Sequence, residues 1–224
     1  VDLAKTLEDA IAHYKAGRLL ECLQCCRIIL KIDNGNPNIL KLAGDLESQV
    51  GTPKQAEVFL SAAVELAPND ADAHYMLAGA QKEIGQIEDA VSSYQTALQI
   101  NPDYIDAYNN LGMAQWSNGD FDAAEMTLGH LLERKPDHAQ AYHNLSSVHE
   151  RQRRVEDAVR AERQAIRHDP DNREFWKFLT FLYSQAPRMP GDDALMNDFR
   201  AILASDDLSI RPISIPAYEL ILSL

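Results

Sequence analysis

The chain has 224 residues, 46% of them apolar and 25% charged, a balance that suits a folded core and excludes intrinsic disorder. Its 34 acidic residues against 21 basic ones leave a formal net charge of −13, so the long-range field repels phosphate backbones and anionic surfaces, and nucleic acid is excluded as a direct ligand. No run approaches the roughly 18 apolar residues of a membrane helix, no apolar signal core follows Val1, and three clustered cysteines cannot form an even disulfide framework, so the expectation is a cytoplasmic chain without membrane insertion.

The sequence opens on Val1 rather than Met, which is read as a trimmed or processed chain, with a targeting segment or catalytic domain left outside it. From Leu3 to Ala16, Leu3, Leu7, Ala10, Ile11 and Tyr14 recur at helical steps, and Gly17 ends this helix as a left-handed cap. Leu19 to Ile32 supplies the antiparallel return helix. It carries Cys22, Cys25 and Cys26, whose spacing resembles a metal or redox pair. Cys22 and Cys26 fall in the register of Ala56 and Leu60 one unit on, and no second pair completes a zinc site, so their expected role is packing.

The second unit predicts helices over Pro37–Val50 and Pro53–Leu66, each opened by a proline at a position where the missing N–H needs no partner. Asp70 then reads as the N-cap of the next helix. The third unit runs from Ala71 to Tyr104, the fourth from Ile105 to His138 and the fifth from Ala139 to Asn172. Gly85 and Gly119 close first helices. Arg153 stands where a glycine is expected, and because a left-handed arginine costs on the order of 1 kcal/mol, the turn there is expected to be altered. A partial sixth unit starts at Arg173 and places Trp176, Leu179 and Tyr183 in register. Beyond it the pattern breaks: 186–191 reads as a longer connection, Asp192–Ala204 as a helix, Ser205–Ser214 as loop and Ile215–Leu224 as a short apolar helix. These last segments are expected to cap the open end of the array.

One period underlies all of this. Pro68, Pro102, Pro136 and Pro170 stand 34 residues apart, with Ala56, Ala90, Ala124 and Ala158 twelve residues before them. Ala63, Ala97, Leu131 and Ala165 lie five before, Gly51, Gly85 and Gly119 seventeen before, and Ala43, Leu77, Leu111 and Leu145 twenty-five before. One pair of short helices cannot bury its apolar stripe alone, whereas stacked pairs build a continuous core.

Leu77, Gly85, Ala90, Tyr94, Ala97 and Pro102, with Leu111-Gly112, Gly119, Ala124, Leu128 and Pro136, resemble the signature of the tetratricopeptide repeat (TPR) family over about Leu3 to Tyr183. The resemblance implies an all-α fold, a right-handed superhelix or α-solenoid of about five to six helix–turn–helix repeats. The array is placed at 1–186, with repeats near 3–36, 37–70, 71–104, 105–138 and 139–172 and a partial one at 173–204, and 187–224 is a cap or a linker to a further domain. It also implies a concave surface lined mainly by first helices, which in this family commonly grips a peptide or a partner helix.

On that geometry the candidate groove residues are Lys41 in the second repeat and Asp72, Tyr75 and Met76 in the third. Asp106, Asn109, Asn110, Met113 and Trp116 follow in the fourth, then His143, Asn144 and Arg151 in the fifth. Asn110 and Asn144 are one period apart and resemble two rungs of the asparagine ladder of O-linked glucosaminyl transferases, whose amides serve a bound main chain on both donor and acceptor sides. Tyr75, Met76, Met113 and Trp116 either form an apolar strip in the groove or, in part, plug the interior of the superhelix. The carboxylate clamp of heat-shock co-chaperones is not met, because the positions around Asn110 carry Tyr75, Gly79, Gln140 and Asn144. The seven histidines are scattered, and neither a metalloprotease motif, a phosphate loop nor a nucleophile elbow is present, so no catalytic residue, cofactor or metal is expected. The leading expectation is a non-enzymatic scaffold or adaptor that binds a protein or peptide. The alternatives are the recruiting arm of a larger bacterial glycosyl-, methyl- or sulfotransferase whose catalytic domain follows Leu224, and self-association through an end of the array.

Overall fold

The computed structural model describes residues 2–185, and the expectations for 186–224 lie outside the described residues. The described residues form eleven α-helices and no strand: α1 (Leu3–Lys15), α2 (Leu19–Ile32), α3 (Pro37–Val50), α4 (Pro53–Leu66), α5 (Ala71–Glu83), α6 (Ile87–Ile100), α7 (Ile105–Asn118), α8 (Phe121–Arg134), α9 (Ala139–Arg151), α10 (Val155–His168) and α11 (Arg173–Gln185). The described residues fall into two compact units, which meet in sequence between Thr127 and Leu128.

In the first unit, α1 packs on α2, α3 on α4 and α5 on α6, and each second helix also packs on the first helix of the next pair. Connections of two to four residues force antiparallel neighbours. The small residues named by the period mark where helices approach: Ala43, Ala56, Ala90, Ala97, Ala124, Cys22 and Cys26 have no exposed surface, and Ala63 has 1%. The thiols are thus core groups. Burial pushes all three above their ordinary value, Cys26 up to about 12.

Polar caps set the helix starts. The carboxylate of Asp2 accepts the amides of Ala4 and Lys5, Asn36 accepts those of Asn38 and Ile39, Thr52 that of Gln55, and Asp70 that of Ala73 at 3.1 Å. Gly17, Gly85 and Gly119 have φ of +68°, +82° and +86° and end first helices as the sequence predicts. Gly51 departs from that series. Its φ is −115°, because Thr52 must be extended ahead of Pro53. The Glu47 carboxylate, accepting from the Thr52 amide at 3.3 Å and from Arg27 Nε at 3.1 Å, takes the place of the usual backbone closure.

In the second unit α10 packs on α9 and α11 on α10. Ala158, Val159, Ala165, Ile166, Phe175, Leu179, Leu182 and Tyr183 form the core, with Tyr142 and Trp176 against it. The turn at Arg153 corrects the sequence reading: it is not altered. Arg153 takes φ +63°, and the Arg154 amide donates to the His149 carbonyl at 2.9 Å, matching Gln86 to Gln81 at 2.8 Å and Asp120 to Gln115 at 2.9 Å. That bond and the one from the Arg153 amide to the Glu150 carbonyl at 2.9 Å outweigh the strain of a non-glycine residue in this conformation.

Candidate functional site

The first helices of the units, α3, α5, α7 and α9, carry the sequence-nominated residues. Of the twelve, Asp72, Asp106 and Arg151 are exposed, Asn144 is buried at 4% exposure, and the other eight are half-buried.

Within the first unit, Lys41 Nζ reaches Asp70 Oδ2 at 2.6 Å. Partial burial works to raise the Asp70 carboxyl, but the Lys41 ammonium and the Ala73 amide outweigh it and hold it below its ordinary value. Lys41 therefore ties the second helix pair to the cap of α5. Tyr75 stacks on Tyr104 with centroids 4.8 Å apart and leans on Tyr94 at 5.7 Å. Its hydroxyl accepts from Asn110 Nδ2 at 2.8 Å. Burial first, then the Asp106 carboxylate, pushes Tyr75 above its ordinary value, and burial first, then the carboxylates of Asp72 and Asp106, does the same to Tyr104. Asp72, Tyr104, Tyr75 and Asn110 thus form one polar and aromatic run from α5 to α7, held by the Tyr75–Tyr104 stack and the Asn110 hydrogen bond, with the Asp72 carboxylate beside Tyr104. Met76 packs inward against Ala56, Leu60, Leu77 and Ala80. Asp106 has no ion-pair partner among the described residues.

The second unit holds its candidates differently. The amide oxygen of Asn144 accepts from Gln140 Nε2 at 3.1 Å. His143 Nδ1 lies 2.9 Å from Glu162 Oε1, and its ring stacks on Phe175 at 4.9 Å and meets Phe178 edge-on at 5.2 Å. Glu162 has no exposed surface. Burial drives its carboxyl above the ordinary value against the opposing pull of His143 and Ser146.

Three groups escaped the sequence reading. Tyr104 lies in a turn, where an aromatic residue carries no helical signal. Tyr94 was assigned only to the family signature, yet its ring supports Tyr75. Glu162 reads as an ordinary charge on an amphipathic helix unless it is compared with Cys26, Leu60, Tyr94 and Leu128, which stand one period apart in the same register and are all buried. Among the described residues no group of three or more His, Cys, Asp or Glu side chains could hold a metal ion, and no helix is long and apolar enough to cross a membrane.

Three overlapping family models match the chain: a TPR repeat model over 80–119, and tetratricopeptide repeat models over 48–92 and 109–173, together spanning more than half of it. The chain belongs to the tetratricopeptide repeat family. Among curated proteins none matches this TPR sequence. Among solved structures, a crystal structure of MamA is 24% identical, with a TM-score of 0.71, covering 77% of this chain and 94% of that one. YrrB, described as a TPR protein with an unusual peptide-binding site, is 21% identical with a TM-score of 0.70, covering 79% and 96%. MamA of Desulfovibrio magneticus RS-1, from its residue 41 on, is 18% identical at 0.64, covering 84% and 96%. These likenesses establish the fold, a TPR solenoid of helix pairs.

Proposed function

We propose that this TPR chain is a non-enzymatic interaction module that captures an extended peptide or protein segment on the face built by its first helices. The supporting observation is the chain Asp72–Tyr104–Tyr75–Asn110 in the first unit. These side chains are held by one another, yet Tyr75, Tyr104 and Asn110 stay half-buried and Asp72 is exposed. A surface that is ordered before the partner arrives loses less side-chain entropy on binding. Tyrosine rings and amides are also the groups that give a bound segment both apolar contact and main-chain hydrogen bonds.

Site-specific photo-crosslinkers test this. Placed at Asn109 or Met113 on α7, they should capture the partner, whereas the same crosslinker at Ser92 or Met126, exposed on the second helices α6 and α8, should not. Capture only from Ser92 and Met126 would overturn the reading.

A further inference from the structure

Along α5 the line Asp72, Tyr75, Gly79, Glu83 runs at helical steps, with carboxylates at both ends and a missing side chain between them. Glycine inside a helix is less stable than alanine there. Packing does not demand it here: a Cβ on Gly79 would meet only the Tyr94 hydroxyl, at 4.0 Å. Gly79 therefore leaves a notch.

Its floor is that hydroxyl. Tyr94 comes from α6 and is 1% exposed, its ring packed among Ala78, Ala90, Leu111 and Ala114. Its oxygen nevertheless has no hydrogen-bond partner among the described residues, although its neighbour Tyr75 has Asn110. The Tyr94 oxygen is not among the fully enclosed unpartnered atoms, so it keeps contact with solvent, and an acceptor open at a gap in the binding face marks a place for a donor.

The surroundings set the sign of that donor. Asp72 and Glu83 share α5 with the notch, and Asp106 on α7 acts on both Tyr75 and Tyr104. Glu83 acts on the Tyr94 hydroxyl itself. Lys82 opposes these carboxylates, while Lys41 is already matched by Asp70. Tyr75 adds an aromatic face one turn away.

We infer that the notch at Gly79 receives a lysine or arginine side chain of the partner segment, whose N–H donates to the Tyr94 hydroxyl while its charge sits beside the Tyr75 ring within the field of Asp72, Glu83 and Asp106. The inference rests on the first-helix face being the binding face and adds the chemistry of the residue it selects. Carboxylates and an aromatic face both favour a cation, and the hydroxyl supplies a fixed acceptor.

The probe is a fluorescein-labelled Gly/Ser peptide bearing lysines, with counterparts in which arginine, glutamine or glutamate replaces every lysine, followed by anisotropy against the full chain. The lysine or arginine peptide should bind about tenfold or more tighter than the glutamine peptide, and the glutamate peptide weakest of all. Gly79→Leu fills the notch and should weaken the cationic peptide by about tenfold, while Tyr94→Phe removes one acceptor and should weaken it about threefold. Circular dichroism should show both variants folded. Should Gly79→Leu unfold, Asp72→Asn with Asp106→Asn replaces it and should cost about tenfold.

Equal affinity for the glutamine peptide, or cationic binding untouched by these variants, overturns the inference. If the glutamine peptide binds and Gly79→Leu abolishes it, the first-helix reading stands and only the cation is lost. Absence of binding by both cationic peptides also overturns the inference, and crosslinking from Asn109 and Met113 then decides the wider reading independently.

Discussion

Replacing Glu162 by leucine should stabilise the second unit, whereas replacing its partner His143 by alanine should weaken it. The opposite signs come from unequal burial: the Glu162 side chain has no exposed surface, while the His143 side chain keeps 21%. With Glu162→Leu, imidazole can turn to water, and a leucine enters a position where Leu128 and Leu60 are fully buried one and three repeats earlier. Burying that side chain contributes about 1.5–3 kcal/mol, and the cost of desolvating the Glu162 carboxyl no longer weighs against folding. The loss of the Ser146 and His143 contacts offsets part of this, leaving a gain of about 1–2 kcal/mol. With His143→Ala the Glu162 carboxyl stays buried without its imidazole partner, which costs about 1–3 kcal/mol at neutral pH. Burial already holds the Glu162 carboxyl above its ordinary value, and losing His143 raises it further. A carboxyl raised in the folded state holds its proton there across a window in which the unfolded chain has released it. Stability is therefore full below the ordinary carboxylate value, about 4.3, and falls as pH rises toward the folded value. The His143→Ala deficit should accordingly be largest at pH 7 and shrink as pH falls toward that value. Urea unfolding followed by far-UV circular dichroism at both ends of the window checks both signs. A destabilised Glu162→Leu, or a neutral His143→Ala at pH 7, would refute the reasoning.

Two further outcomes follow from the turns and the thiols. Arg153→Gly removes left-handed strain of about 1–2 kcal/mol, and the extra freedom of the unfolded glycine returns about half of it. The net gain of about 0.5–1 kcal/mol should raise the urea midpoint, and a lowered midpoint would mean that the arginine contributes something other than strain. In native protein at pH 8, a disulfide reagent should label Cys25 slowly and leave Cys22 and Cys26 untouched, since both are fully buried and burial pushes all three thiols upward. Rapid labelling of all three, read by mass spectrometry, would contradict that packing.

The fold was legible because the 34-residue period records steric need. Ala56, Ala90, Ala124 and Ala158 are small where backbones approach, and that requirement is local enough to read without coordinates. Turn chemistry was less legible. Arg153 shows that two backbone hydrogen bonds can hold a left-handed turn without glycine, and Gly51 shows that a following Thr-Pro can cancel one. At the candidate site, register placed Tyr75 and Asn110 on the same face, but it did not show that they would bond one another across 35 residues. Asn144 looked like a second amide rung and is instead buried beside Gln140. Which side chain turns inward depends on rotamers and neighbours one helix away, and a repeat pattern carries no record of those.

Methyl resonances of methionine test the central claim most directly. Met76 and Met113 lie on the first helices α5 and α7, and Met126 lies exposed on the second helix α8. On titration with the segment captured by crosslinking, the account predicts shifts at Met113 and Met76 and none at Met126. Shifts confined to Met126 would contradict it.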